Sequence, residues 1–168
     1  MVQDIAVQLL ADIAKIISTM VLTAGGLYTG IGVLDRFTSG IEEWEEIKKG
    51  NVAVGIFYAT VVLAIMLLIG PRVQDFMALV QPDLALPLLA IAFANYLLGL
   101  GIAIAVIYLA IHMLNHLTAD LDETAALKKG NIAVAMIMSV VVFAVATATS
   151  LAVEAFFVVL KSAELSLI

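Results

Sequence analysis

The chain reads as an all-α, polytopic membrane protein: four transmembrane helices forming two parallel-related helical hairpin repeats. Three observations predict this. Of its 168 residues 64% are hydrophobic and 13% charged, with a mean hydropathy of +1.15; a soluble domain needs far more polar surface to cover its core. The apolar runs are long and continuous, without the period-two alternation of a membrane barrel, so helices satisfy the backbone in hydrocarbon. Finally, Lys48-Lys49-Gly50-Asn51-Val52-Ala53-Val54 returns eighty positions later as Lys128-Lys129-Gly130-Asn131-Ile132-Ala133-Val134. Each copy stands where a charged segment ends and an apolar run begins.

Composition also excludes. There is no Cys, hence no disulfide. A net charge of −6 without a basic patch argues against a nucleic-acid partner. The start, Met1-Val2-Gln3-Asp4, lacks the positive leader of a secretory signal, so the first apolar run is expected to be a retained span.

Residues 1–15 carry Asp4, Gln8, Asp12 and Lys15 at helical spacing, an amphipathic entry or a continuous extension of the first span. Repeat 1 covers 16–70. Its first span, 16–34, is uncharged and holds Gly26-x3-Gly30, the small-residue spacing that lets helix backbones approach in lipid. The charged loop 35–51 follows, then the span 52–70, closed by Gly70-Pro71 as a helix stop. Residues 71–87, punctuated by Pro71, Pro82 and Pro87, read as an interfacial linker. Repeat 2 covers 88–153, with spans 88–114 and 132–153 around the charged loop 115–131. In the tail, 154–168, Glu154, Lys161 and Glu164 follow, so the helix either protrudes or turns along the surface.

Two spans per repeat put both charged loops on one side, with the repeats related by a pseudo-two-fold axis along the membrane normal. That side holds Arg36, Lys48, Lys49, Lys128 and Lys129; the other holds Lys15, Arg72 and Lys161. The balance predicts a multi-pass protein of the cell (inner) membrane, loops cytoplasmic and both termini outside.

Each loop reads as a short helix. Cations in the last turn suit the negative end of the helix dipole, Gly50 and Gly130 supply a left-handed C-terminal position, and Asn51 and Asn131 are favoured caps for the next span. Ser39-x-x-Glu42 fits a capping box and Asp120-x-x-Glu123 an acidic variant of it. The corners are therefore expected to be structural and not ligand-binding.

The span entering each loop is repeated too. Tyr28, Ile31, Asp35 and Thr38 match Tyr108, Ile111, Asn115 and Thr118 on one helical stripe. Asp35, Thr38, Asn115 and Thr118, with Tyr28 and Tyr108, are candidates for an ion pathway or for an interfacial structural role. Glu42, Glu43, Asp122 and Glu123 could draw cations to a pore mouth or form a solvated face beside Trp44. His112, His116 and Asp120 recur every four residues, a spacing metal ligands can use, but are read first as headgroup or capping residues.

These elements resemble the YjfL-like family of small inner-membrane proteins. The resemblance lies in Asp35-Arg36-Phe37-Thr38, the acids after it, and Gly50-Asn51-Val52-Ala53-Val54, and in the same set from Asn115 through Val134. It implies a four-span membrane protein with links to membrane-stress systems and no assigned activity. Where this chain has Asn115 the family pattern has Asp, which counts against any site needing two symmetry-related carboxylates.

No zinc-protease motif, phosphate loop, nucleophile elbow or redox Cys pair is present, so an enzyme is not expected, nor a cofactor. The expected partners are the lipid bilayer, a monovalent or divalent cation, and further copies of the chain, a dimer first. The expected function is a small ion channel or transporter favouring cations. The alternative is a non-transporting membrane-stress or scaffold module acting through its charged loops.

Overall fold

The computed structural model describes residues 2–37, 43–80, 86–118 and 122–165. Among them the chain is helical throughout: α1 (Val2–Phe37), α2 (Glu43–Lys48), α3 (Val52–Leu79), α4 (Leu86–Leu117), α5 (Glu123–Lys128) and α6 (Ile132–Leu165). The order long, short, long thus occurs twice. Four helices, α1, α3, α4 and α6, are long and apolar enough to cross a membrane, and the chain is an integral, multi-pass membrane protein. The 28 residues of α3 extend about 42 Å and the 36 of α1 about 54 Å, beyond the ~30 Å hydrocarbon core.

Three of these helices outrun their expected limits. The entry segment is the first part of α1. Helix α6 continues straight through Lys161 to Leu165. The expected stop at Gly70-Pro71 does not occur: α3 runs through Pro71 to Leu79, and Gly70 does not take a left-handed conformation. Proline removes one backbone donor and frees one carbonyl, a loss that packed membrane helices tolerate where neighbours hold the helix on both sides of it. Here Leu68 and Ile69 before it and Arg72 and Val73 after it are all buried. Only a short connection remains of the linker.

Helix α3 is the hub. It packs against α6, α4 and α1, while α4 also touches α1 and α6. Its large core residues Ile65 and Ile69 share one buried cluster with Ile107 of α4 and Val142 of α6, all fully buried. Ala53, Ala64, Ala103, Ala110, Ala135 and Ala146 are equally inaccessible; small side chains at these points let the backbones close together. Gly26 and Gly30 do the same for α1. A Cβ on Gly26 would lie 2.6 Å from the Tyr96 hydroxyl and 2.8 Å from Ile69, and one on Gly30 3.1 Å from Ile65. The Tyr96 hydroxyl donates to the Leu22 carbonyl at 2.7 Å, fastening α4 to α1.

The two halves pack unequally: α4 sits against α3, whereas α1 and α6 make at most marginal contact among the described residues. The first part of α1 stands away from the bundle, with Ile5, Leu10, Ile16 and Met20 exposed.

Candidate functional site

The two corners lie together at one end of the bundle. Their backbones match bond for bond. Gly50 has φ +83° and Gly130 φ +76°. The Gly50 amide donates to Ile47 at 2.9 Å and the Asn51 amide to Glu46 at 3.0 Å; Gly130 to Leu127 and Asn131 to Ala126 have the same lengths. Each Asn Oδ1 then accepts from the third residue on, Val54 or Val134, at 3.3 Å. This is a Schellman ending run directly into an N-cap, and it needs a residue without Cβ at the left-handed position. At α5 the cap is Asp122, whose Oδ1 accepts from the Ala125 amide at 2.9 Å. Asp120 and the Ser39–Glu42 box lie outside the described residues.

Asn51 does more than cap. Its Nδ2 is 2.9 Å from the Leu127 carbonyl and 3.2 Å from that of Lys128, and 3.1 Å from Glu46 Oε2. One amide therefore ties the first corner to the last turn of α5. Lys49 donates to the other oxygen of Glu46 at 2.8 Å. Hydrogen bonds from Lys49 and Asn51 hold the Glu46 carboxyl below the usual carboxylate range.

Beneath this corner, Asp35 at the end of α1 and Glu43 at the start of α2 line a cavity with Phe57, Tyr58 and Ile111. Its volume is about 20 Å³, enough for one water-sized occupant. The Tyr58 hydroxyl is buried without a hydrogen-bond partner among the described residues. The Tyr58 ring is held edge-on by Trp44, centroids 5.3 Å apart. Ile31, Leu34 and Val61 complete a mainly apolar lining, so the space admits one water-sized occupant beside the two acids and the tyrosine. In the other half the matching positions are Glu123, whose buried Oε1 also lacks a partner among the described residues, and Met138 in place of Tyr58. The acid-and-hydroxyl arrangement is thus confined to the first half.

The remaining stripe residues do not converge on this cavity. Tyr28 is 85% exposed. Tyr108 stacks on His112 at 5.9 Å along the outside of α4, and His112 meets His116 Nε2 to Nε2 at 3.2 Å. The Thr118 hydroxyl donates to Leu114 of its own helix. Thr38, Glu42 and Asp120, with the side chain of Asn115, fall outside the described residues. Among the described residues, no three His, Cys, Asp or Glu side chains are grouped to hold a metal.

The opposite end carries a cluster whose residues fall in the expected linker and tail. Arg72 lies about 30 Å from Asn51 along α3 and is 3% exposed. Its Nη1 pairs with Asp75 at 2.8 Å and its Nη2 with Glu154 of α6. Its guanidinium sits 4.1 Å over the Phe157 ring, and Lys161 reaches Asp75 at 3.7 Å. The stem crosses α4 where Gly99 leaves room; a Cβ there would stand 2.5 Å from Arg72 Cγ. The signal was a lone Glu154 in an otherwise uncharged run opposite a lone Arg72, since charges at membrane depth seek partners.

Residues 8–81 match the model of a family described as a Domain of Unknown Function, DUF350. The match begins within α1 and ends just past α3, so it covers the first corner, Asp35 and Arg72. No curated protein and no solved structure matches the chain.

Proposed function

We propose that this chain is a small cation-translocating membrane protein, channel or carrier, with cation entry at the Asp35–Glu43–Tyr58 cavity. The observation that carries the reading is that cavity itself: two carboxylate residues and a buried, unpartnered hydroxyl around room for one small occupant. Carboxylates beside low-dielectric walls concentrate cations, and oxygen ligands replace part of the hydration shell on entry. Beyond the cavity the bundle centre is filled by Ile65, Ile69, Ile107 and Val142, so passage requires rearrangement of the helices or a route between chains. Purified protein in liposomes should pass cations selectively, and Asp35→Asn should slow that flux without altering the fold measured by circular dichroism. No flux above empty liposomes, across several cations, anions and pH gradients, would end the proposal.

The same filled centre favours the second reading, a non-transporting scaffold or stress-responsive module. On that reading, crosslinking in native membranes should recover a stable partner through loops 35–51 and 115–131.

A further inference from the structure

Positions eighty apart are equivalent in sequence, so burial in the two halves can be compared residue by residue. Along α3, Ala53, Phe57, Ala64, Leu68 and Arg72 are all buried, Arg72 against Gly99 of α4 and Glu154 of α6. The equivalent stripe on α6 is Ala133, Ile137, Ala144, Ala148 and Ala152, and every one of these is exposed. The reciprocal mismatch occurs on the outer helices. Tyr96, Gly99 and Leu100 of α4 are buried, whereas Ile16, Thr19 and Met20 of α1 are exposed. The corner repeats the pattern. The Asn51 amide bonds the Leu127 and Lys128 carbonyls, while Asn131, which is exposed, makes only its own cap among the described residues.

We propose that a second copy of this chain covers the α6 face, seating its α1–α2 segment there as α4–α5 seats on α3. The interface within the chain is thereby continued between chains. The donor face (Asn131, Ile137, Ala144) and the receiving segment (α1 with the end of α2) are different surfaces, so the contact is head-to-tail. The α6 stripe is made of four alanines and one isoleucine, which permits the close approach that interfaces in lipid use, and it borders a groove of about 390 Å³ between α3 and α6. Across the new contact Asn131 would meet the Ile47 and Lys48 carbonyls, the counterparts of Leu127 and Lys128.

The chain has no cysteine, so introduced thiols report alone. Two differently tagged full chains, one carrying Lys48→Cys and the other Asn131→Cys, are co-expressed and oxidised in native membranes. The expected result is a covalent dimer of doubled mass from the mixed pair and none from either variant alone. A single chain with Asn51→Cys and Lys128→Cys is the control for the matching internal contact and should close without change of mass. Adding Ala144→Trp, exposed in one chain, should abolish the mixed crosslink while leaving the internal one. If the internal control closes and the mixed pair does not, lipid covers the α6 face and the proposal fails. Self-crosslinking of either single variant, or a single-chain mass for the unmodified protein by native mass spectrometry, also overturns it.

Discussion

The first half of the chain, α1 to α3, and the second, α4 to α6, share their corners almost bond for bond and differ in nearly everything built on them. Asn51 joins the two corners, whereas Asn131 only starts its own helix. Tyr58 leaves a cavity where Met138 is buried, and Arg72 anchors an ion cluster where Ala152 is exposed. The lesson is one of range. Backbone geometry at the corners depends on a few adjacent residues and survives any change of neighbours. The task of a side chain depends on what the other helices bring to it, and the hub position of α3 gives its residues partners that those of α6 lack.

The contrast between Arg72 and Ala152 is the largest and the easiest to break. Glu154→Gln leaves a buried guanidinium with Asp75 alone and should lower stability by about 2 kcal/mol, less than the ~3–5 kcal/mol of a fully buried pair because Glu154 is half exposed. Adding Arg72→Met should restore most of the loss, since a buried charge without its partner is what destabilises. Unfolding of the purified protein in mixed micelles reads both; equal losses in the single and double variants would contradict the pairing.

The difference between the asparagines is the next to sharpen. In chains dissociated from one another by detergent, Asn131→Ala should cost about 1 kcal/mol, the worth of an N-cap. Asn51→Ala should cost about 2 kcal/mol, because it also leaves the α5 carbonyls without the amide. Identical losses in the single chain would mean that the bond between corners contributes nothing.

The smallest effect follows acid. Folding lowers the Glu46 carboxyl, so its contribution is complete above the unfolded carboxylate value and is lost as pH falls through the depressed folded one. Thermal stability scanned downward from about pH 5 should therefore decline, and Glu46→Gln should flatten part of that decline. The matching residue in the second half is Ala126, so the response belongs to the first corner. An unchanged acid profile in Glu46→Gln would remove Glu46 from the account.

Much of the fold was open to sequence reading. Four spans, two short helices between them and the Lys-Lys-Gly-Asn corners follow from hydropathy, capping preference and the left-handed glycine. Of the candidate site, Asp35 and Glu43 were visible as acids near a membrane boundary. Tyr58, the seventh residue of an apolar span, was not, because no local pattern separates a tyrosine lining a cavity from one facing lipid.

By itself, then, the sequence determined the solvent, the number of crossings and the shape of each corner, since these depend on apolar length and on hydrogen bonds within a few residues. The tertiary structure alone decided that α3 passes Pro71 unbroken, that Arg72 is buried against Gly99 and Glu154, and that Asn51 bridges corners while Asn131 does not. Each of these rests on a neighbour twenty-seven or more positions away, from α4, α5 or α6. Two similar segments acquire different roles when only one of them has neighbours on every side.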